Sequence, residues 1–509
     1  MRTVTDVLVE RGRTSWFKDA SLRHLYLILI PSCLLTAATT GYDSSMLSGL
    51  QAVSTWKESF NNPQGSILGF MSGCYNLGAA CSAPLGAFLA NRYGRKIPII
   101  VGSCITIIGA VLQAAAQNVA MFIVARMTIG FGVSVALISC PVMISELSHP
   151  SHRSTFTSLF NTNWYLGSLI AAWTTFGTFR MHSSWGWRLP SLLQGVPAII
   201  QLSFIWFLPE SPRYLIANER GEEAIQILAK YHAAGNVDDE LVQAEFAEIN
   251  AAIVMESQLN SGKSAFRELF SSPANRHRTF ICFALGLFSQ WSGNGLVSYF
   301  LVQIFNTIGI KGQTTQTLLN AIITVCSYIE AICAAVLAGR MKRRPQFMIS
   351  IAGMFFCMIG FAIGTNVYST HKYESAARAV LAMIFIFYAF YNLALNPLLF
   401  GYAVEVLPFA IRAPGLSLLQ LTAKSFGFFN QWVNPIALSK LSWKYYIVFS
   451  CILIVELGVV YFGFPETKGY SLERVDEVFR KSRHRDDKED LADGKHGVET
   501  FELQDDRNL

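Results

Sequence analysis

The chain has 509 residues, of which 52% are hydrophobic and only 15% are charged. Soluble domains carry about 25% charged residues, so this composition excludes an ordinary soluble enzyme and a disordered chain. The net charge of +6 comes without a basic segment interleaved with aromatics, so we expect no nucleic-acid partner. The charges instead collect in three blocks, at 1–23, about 210–278 and 465–509, separated by long apolar tracts. This pattern is typical of a protein that crosses a membrane many times.

The apolar tracts predict twelve membrane-spanning helices, because a hydrocarbon core of about 30 Å needs about 20 helical residues. The first six predicted spans lie near 25–47, 66–90, 97–117, 120–143, 156–178 and 187–208. The second six lie near 279–305, 315–339, 347–367, 376–404, 414–437 and 443–463. We therefore expect an all-α membrane protein with two six-helix bundles. The expected segments are an N-terminal segment 1–24, bundles at 25–208 and 279–464, a helical linker at 209–278, and a tail at 465–509 that is largely disordered after about 482.

The distribution of basic residues predicts the orientation of these spans. An even number of spans places both termini on the same side, and the loops 91–96 and 340–344 on that side carry three and four Lys or Arg residues. The positive-inside rule then places both termini and the linker in the cytosol. The ten cysteines all lie in apolar tracts, which indicates buried thiols rather than disulfides. No CxxC or His/Cys cluster suggests a metal, so we expect neither a metal nor a cofactor.

Charged motifs recur at about half the chain length. Glu146 precedes Arg153 by seven residues, and Glu405 precedes Arg412 in the same way 259 residues later. Such matched features indicate two related halves, as in secondary transporters. We expect these pairs to open and close one side of the protein, although they could serve topology alone. The expected gating residues are Arg92, Arg95, Glu146, Arg153, Glu210, Arg213, Arg340, Glu405, Arg412 and Glu466.

Several motifs together resemble the sugar porter branch of the major facilitator superfamily. They are Gly41-Tyr42-Asp43, residues 91–96, Pro141 with Glu146 and Arg153, residues 209–213, Glu405 with Ile411-Arg412, and residues 465–469. Within that branch, residues 288–295 and 430–438 resemble the fungal lactose and cellodextrin permeases. The resemblance implies a transporter that works by alternating access and carries a disaccharide or a similar oligosaccharide. It also implies a monomer in the plasma membrane.

Away from the span ends, five charged residues lie inside predicted spans, where an unpaired charge is costly. Asp43 and Arg126 are expected to pair, and movement that breaks the pair would let Asp43 take up a proton; a static structural pair is the alternative. Glu330 and Lys424 are expected to pair with each other, unless Lys424 binds an anionic group of the substrate. Glu456 is expected to be a local hydrogen-bonding residue.

Amide side chains spaced four residues apart indicate the substrate site, because amides both donate to and accept from sugar hydroxyls. Amides at this spacing occur in spans seven, ten and eleven, and the alternative is that they bond helix to helix. The resemblance adds Asn161, where the family has a glutamine, and Phe400, where the family has a tryptophan over the sugar. The candidate substrate-binding residues are Asn161, Gln290, Asn294, Asn392, Asn396, Phe400, Lys424, Asn430 and Asn434.

The sequence therefore predicts a proton-coupled sugar transporter with sugar, protons and the lipid bilayer as its partners. A facilitative carrier or an exporter of another metabolite remains open, and Glu330 and Lys424 are its best support. A non-transporting sugar sensor is the third possibility, although the tail of about 45 residues is short for one. No nucleophile constellation or Walker loop occurs, so we expect neither an enzyme nor an ATP-driven pump.

Overall fold

The computed structural model describes residues 4–11, 16–17, 19–260, 265–338, 341–468 and 479. Throughout this part of the chain the regular structure is helical. The N-terminal half comprises α1 to α6, which are Ala20–Leu50, Gly65–Tyr93, Lys96–Ala114, Val119–Leu147, Arg153–Thr178, and the broken helix Trp185–Leu193 with Val196–Ile205. In the C-terminal half, α7 is the broken helix made of Pro273–Trp291, Asn294–Tyr299 and Leu301–Thr307, and α8 is Gln313–Ala338. Helix α9 is Arg343–His371, and α10 is the broken helix made of Glu374–Leu393 and Leu395–Val406. Helix α11 is Phe409–Leu441, and α12 is Lys444–Gly463.

The helices extend further than the apolar tracts that predicted them. Helix α1 begins at Ala20, where the Asp19 carboxylate caps two backbone N–H groups. Helix α7 begins at Pro273 after the Ser272 cap, which is six residues before the predicted start. A span counted from apolar residues stops at the edge of the hydrocarbon, whereas the helix continues until a capping residue satisfies its free N–H groups.

Eight of the described helices are long and apolar enough to cross a membrane by length and composition: α1, α3, α4, α7, α8, α9, α10 and α12. Of the other four, α6 is broken, while α2, α5 and α11 pack against the opposite half. A helix that faces another protein surface can carry polar residues that lipid would not tolerate. Large apolar side chains such as Phe207 and Phe462 are instead exposed on the outside, as expected of a surface that faces lipid.

Backbone contacts through glycine bring α1 and α5 together within the N-terminal half. A Cβ at Gly41 would lie 1.8 Å from the carbonyl oxygen of Trp164, and a Cβ at Gly167 would lie 1.8 Å from that of Ala38. Small residues at such crossings are typical of helix packing in membranes. This close packing fixes α1 against α5, and Ser44, the residue after Asp43, bonds to the Tyr299 hydroxyl of the other half over 2.9 Å.

The prediction that all cysteines are buried is only partly correct. Five thiols are buried, whereas Cys81, Cys104, Cys333 and Cys451 are exposed on the outer surface of the helices. An apolar tract has two faces, and only one of them points into the bundle, so the composition of a span could not distinguish the core from the lipid-facing surface.

Four linker helices follow α6: Pro212–Ala217, Gly221–His232, Glu240–Asn260 and Ala265–Glu268. The helices expected in the linker therefore occur, although Glu240–Asn260 has 21 residues and is not short. We call the side of the bundle that carries these helices the linker side. The expected tail beyond 468 lies outside the described residues, apart from Phe479.

The two halves bond to each other at mid-depth and away from the linker side. On that opposite side, Gln51 Nε2 donates to the carbonyl of Tyr299 over 2.7 Å, and Trp432 Nε1 donates to Ser66 Oγ over 3.0 Å. On the linker side, the bonds of Glu210 to Arg95 and of Glu466 to Arg343 join helix ends of the same half. The halves are therefore closed together on the side opposite the linker.

Candidate functional site

A small polar cavity lies between the two halves at mid-depth. Its volume is about 30 Å³, which is room for about two waters. Hydroxyl and amide side chains from α1, α5, α7, α8 and α10 form most of its wall. The lining residues are Ser44, Ser45, Trp164, Tyr165, Ser168, Ser298, Asn320, Ile323, Thr324, Ser327 and Tyr388.

Asp43 and Arg126 form the ion pair that the sequence predicts. The Arg126 Nη1 and Nη2 atoms donate to the two carboxylate oxygens of Asp43 over 3.0 and 2.9 Å, and both residues are almost fully buried. Gln194 of α6, which sequence reasoning missed, also donates to Asp43 Oδ1 over 2.9 Å. The carboxylate therefore receives three hydrogen bonds, all from its own half of the molecule.

Helix α7 is broken beside two of the predicted amides. Gly293 adopts a φ of +97°, which separates Pro273–Trp291 from Asn294–Tyr299. Gln290 and Asn294 flank this break, and both are partly exposed. Asn294 Oδ1 accepts a hydrogen bond from Ser298 Oγ over 2.9 Å. The two amides thus occupy the kind of discontinuous helix that forms substrate sites in transporters.

Helix α10 is broken as well, at Ala394. Pro397 cannot donate to the carbonyl of Leu393, and Gln346 Nε2 supplies the missing bond to that oxygen over 2.6 Å. This break places Asn392 and Asn396 opposite Tyr165 of the other half. The Tyr165 hydroxyl donates to Asn392 Oδ1, and Asn396 Nδ2 lies 3.4 Å from the same hydroxyl.

The α11 amides bond helix to helix. Asn434 is fully buried; its Nδ2 donates to Asn430 Oδ1 over 2.8 Å, and its Oδ1 accepts from the Tyr445 hydroxyl over 2.7 Å. In this conformation these bonds fit the alternative that the amides bond helix to helix, and contact of the pair with substrate stays a prediction. Phe400 is half-buried against the C-terminal core, and for Asn161 only the backbone, within α5, is described.

Sequence reasoning missed the polar face of α8. Asn320, Thr324 and Ser327 lie at spacings of four and three residues and all line the cavity. The same periodicity that identified the amide pairs in α7 and α10 could have identified this face. Ser44 and Ser45, beside Asp43, were also missed, and no spacing rule would have distinguished them from other serines in spans.

The predicted pair between Glu330 and Lys424 is not formed. Among the described residues Lys424 has no ion pair, and its Nζ lies 5.7 Å from the ring centre of Tyr75. Glu330 lies beside Asn392 instead, and one of its carboxyl oxygens is buried without a hydrogen bond. Glu456 is 1% exposed and neither of its carboxyl oxygens is hydrogen-bonded within the described chain, so the prediction that it is a local hydrogen-bonding residue is wrong.

A cluster of carboxylates joins helix ends on the linker side of the N-terminal half. The Glu210 carboxylate accepts from the backbone N–H groups of Arg95 and Lys96 over 2.9 and 3.3 Å. The Arg95 side chain lies 3.5 Å from Glu146, and the Ser211 hydroxyl donates to Glu146. We call Arg95, Glu146, Glu210 and Ser211 the first carboxylate cluster.

Gly94 makes this cluster possible. Its φ is +89°, and a Cβ there would lie 2.5 Å from Glu210 Oε2. A side chain at this position would therefore keep the carboxylate away from the backbone N–H groups it binds.

The C-terminal half carries the same arrangement. Glu466 accepts from the backbone N–H groups of Arg343 and Arg344 over 2.9 and 3.2 Å. The Arg343 side chain binds Glu405 at 2.7 Å, and Thr467 Oγ1 donates to Glu405 over 2.6 Å. Arg343, Glu405, Glu466 and Thr467 form the second carboxylate cluster, which repeats the first residue for residue.

The partners of Glu146 and Glu405 differ from those predicted. Their ion pairs are with Arg95 and Arg343, rather than with Arg153 and Arg412, which follow them by seven residues. Arg412 donates to the carbonyl of Leu407, while Arg153 lies 3.8 Å from Glu245 of the linker. Glu146 and Glu405 thus each bind an arginine at the start of another helix. These arginines are distant in the sequence, so the spacing of the motif does not show the pairing.

The other expected gating residues lie around these clusters. The side chain of Arg92 is exposed, and its carbonyl accepts from the Tyr214 hydroxyl over 3.0 Å. Arg213 lies in the linker helix Pro212–Ala217, which begins beside the first carboxylate cluster. Arg340 lies outside the described residues.

A histidine cluster joins the linker to the N-terminal half. His232 Nδ1 lies 2.6 Å from Glu245 Oε2, and its Nε2 donates to the carbonyl of Leu147 over 3.2 Å. Burial alone would lower the pKa of His232, but the Glu245 carboxylate and the Leu147 carbonyl hold this pKa above its ordinary value. His149, whose ring centre is 5.3 Å from that of His232, has a pKa lowered to about 4 by burial and by His232.

Comparison with known proteins gives consistent matches along most of the chain. Residues 29–479 match the family described as "Sugar (and other) transporter". The high-affinity glucose transporter of Kluyveromyces lactis is 27% identical over 483 residues, which is 92% of this chain and 87% of that protein. The MFS-type transporter criB of Aspergillus cristatus is 29% identical over 458 residues, which is 89% of this chain and 94% of that protein.

The fold has solved relatives. The xylose transporter XylE from E. coli, in a partially occluded inward-open conformation, aligns with a TM-score of 0.72 at 21% sequence identity, covering 88% of this chain and 99% of that one. This likeness confirms the predicted fold class of twelve spans in two six-helix bundles.

Proposed function

Because the chain belongs to the sugar (and other) transporter family, we propose that it carries a sugar across the membrane together with a proton, by alternating access. Membership of this family makes it a multi-pass membrane transporter and not an enzyme. The sugar porter resemblance is thereby confirmed. The narrower likeness to lactose and cellodextrin permeases, the plasma membrane and the monomeric state stay predictions.

The buried pair of Asp43 and Arg126 is the single observation that carries the proton-coupling part. Arginine cannot release its proton, so Asp43 is the group that could take one up. In the closed arrangement its carboxylate is held by Arg126 and Gln194. A movement that withdraws these donors would leave a buried carboxylate that is more stable when protonated. A related structure is described as that of a proton:xylose symporter, which supports this proposal.

The broken helices α7 and α10, together with the cavity between the two halves, support the sugar-binding part of the proposal. Asn294 accepts from Ser298, which lines the cavity, and Gln290 lies one turn before Asn294. Ser45 also lines this cavity, and its Oγ is buried without a hydrogen bond among the described residues. A sugar hydroxyl would supply the partner that such a group lacks. Relatives named as glucose and xylose transporters favour a hexose- or pentose-sized substrate over the predicted disaccharide.

The two carboxylate clusters support the alternating-access part. Each holds three or more helix ends of one half as a unit on the linker side, so that each half can move as a rigid body. The basic loops of this side support its assignment to the cytosol, with both termini and the linker. The closed opposite side then corresponds to an inward-facing state.

The test is uptake of labelled D-glucose, D-xylose, cellobiose and lactose into proteoliposomes under an inward proton gradient. We expect accumulation of at least one sugar above equilibrium and its loss on addition of a protonophore. Asp43→Asn should abolish accumulation but retain exchange of labelled for unlabelled sugar, which also shows that the variant is folded. Asp238→Asn, at an exposed linker aspartate, is the matched control and should accumulate sugar normally. Accumulation that ignores the protonophore would refute proton coupling.

A further inference from the structure

Lys424 places a positive charge in the middle of the transporter, at the boundary between its halves. It is the sixteenth of the 33 residues of α11, and its Nζ lies over the ring of Tyr75 in α2, on the other half. The side chain is only partly exposed. One turn further along α11, a Cβ at Gly427 would lie 3.1 Å from Asn76 Nδ2 and 3.1 Å from Gln290 Oε1. Lys424 therefore lies one turn of α11 from the position that contacts Gln290, one of the candidate sugar-binding amides.

The charge of Lys424 has no protein counter-charge in this conformation. Among the described residues its ammonium group makes no ion pair within 4.0 Å and no hydrogen bond. The carboxylate of Asp43 acts on it electrostatically, but the two oxygens of Asp43 already receive three hydrogen bonds from Arg126 and Gln194. Glu330 faces Asn392 rather than Lys424. The face of an aromatic ring attracts a cation but does not neutralise it.

An ammonium group deep in a membrane protein is costly unless it has a partner or serves a ligand. We propose that Lys424 binds the carboxylate of an anionic substrate, so that the transporter carries a sugar acid in preference to the neutral sugar. Lys424 then determines substrate specificity, with the carboxylate on the ammonium group and the sugar hydroxyls on Gln290 and Asn294. This inference rests on the proposed function, because it assumes that the space between the halves is the sugar site.

Two pairs of sugars test the effect of a carboxylate on the substrate while the rest of the sugar stays the same. D-galacturonate and D-galactose, and likewise D-glucuronate and D-glucose, differ only in whether C6 is a carboxylate or a hydroxymethyl group. A hydrogen bond to a charged group in a partly desolvated site favours the anion by about tenfold or more in affinity. We therefore expect the purified full-length transporter in lipid nanodiscs to bind each uronate at least about tenfold more tightly than the matched neutral sugar.

Variants of Lys424 assign that preference to its charge. Lys424→Met keeps the length of the side chain without the charge and should abolish the preference, while Lys424→Arg should retain most of it. Lys440→Met is the matched control, because Lys440 is exposed at the end of the same helix, and it should keep the wild-type preference. If Lys424→Met does not fold, the comparison of the uronates with their neutral sugars in the wild type still tests whether the transporter prefers the acid.

The outcomes separate this inference from the proposed function. Tight binding of galactose or glucose with equal or weaker binding of the uronates overturns the role of Lys424 and leaves sugar transport standing. A uronate preference that survives in folded Lys424→Met also overturns that role. Failure to bind any neutral or acidic sugar overturns the proposed function and the inference together.

Discussion

At the scale of single residues, two of the few intramembrane charges of the transporter are paired with each other inside the N-terminal half. Asp43 and Arg126 are paired through two parallel hydrogen bonds, the geometry that a guanidinium and a carboxylate favour. Both groups have given up their hydration to be there. The pair is therefore stable only as a pair, and removing one member leaves the other as an uncompensated buried charge.

The ion pair predicts that two substitutions are less damaging than one. Asp43→Asn or Arg126→Gln alone should lower stability by about 3–5 kcal/mol, because a buried charge is left without its partner. The double variant should be more stable than either single variant, since it buries two amides in place of one charge. The apparent melting temperatures of the four purified proteins measure this coupling.

An exposed pair supplies the control. Arg220 and Glu223 are bonded at 2.6 Å, but both side chains are about half exposed. Arg220→Gln, Glu223→Gln and their combination should leave the melting temperature almost unchanged, because exposed pairs contribute little. Additive losses at Asp43 and Arg126 would contradict the interpretation that the two charges act as one unit.

At the scale of helices and loops, the contact between the linker and the N-terminal half depends on histidine. His149 follows α4 and His232 ends the linker helix Gly221–His232, where Glu245 of the next helix and the Leu147 carbonyl hold it. The backbone N–H of His149 also donates to the Tyr26 hydroxyl of α1 over 3.2 Å. His232 thus joins the linker to the end of α4, and His149 joins that end to α1.

The two histidines contribute with opposite signs to the pH dependence of this contact. The pKa of His149 is lowered from 6.5 to about 4, so the folded protein binds fewer protons than the unfolded chain between these values. The stability that neutral His149 provides is therefore present above pH 6.5 and is lost as the pH falls toward 4, to the extent of about 3 kcal/mol. The opposite sign holds for His232, whose raised pKa makes its contribution full below pH 6.5 and lost as the pH rises through the folded value.

Hydrogen exchange measures this pH dependence. After correction for intrinsic rates, the ratio of the exchange rate at pH 5 to that at pH 7 in amides of Gly221–His232 should be larger in the wild type than in His149→Gln, because only the wild type loses the His149 contribution in acid while His232 contributes to both proteins. His371→Gln is the matched control, because His371 is exposed at the end of α9, and it should behave as the wild type. An undiminished pH effect in His149→Gln would assign the titration to another group.

At the scale of the whole molecule, the twelve spans and the two related halves could be predicted from the sequence, because they depend on apolar length and repeated motifs. The pair of Asp43 and Arg126 could also be predicted, since few other partners exist inside the spans. The partners of Glu146 and Asn434 could not, because several helix ends and amides compete for them and only the packing decides. The break in α10 had a signal in Pro397, whose missing N–H the sequence does show.

The packing of α2 against α11 closes the side opposite the linker, and it predicts how that side can be forced open. A Cβ at Gly69 would lie 2.3 Å from the carbonyl oxygen of Trp432, so Gly69→Leu cannot be accommodated without separating the halves there. If the halves rock about the central site, opening one side closes the other. The short helix Ser54–Ser59 lies between α1 and α2, on the side opposite the linker, and its amides should then exchange faster. Amides of the linker helix Pro212–Ala217 should exchange more slowly.

Gly401→Leu provides the control for this wedge, because a Cβ at Gly401 would have no atom within 4 Å, and its exchange should match that of the wild type. Gly73→Leu, whose Cβ would lie 3.0 Å from Phe428, should give a smaller shift in the same direction as Gly69→Leu. The graded order of the three variants separates a rocking movement from general destabilisation, which would raise exchange on both sides. Faster exchange of Ser54–Ser59 and Pro212–Ala217 together in a Gly69→Leu protein would therefore argue against two rigid halves.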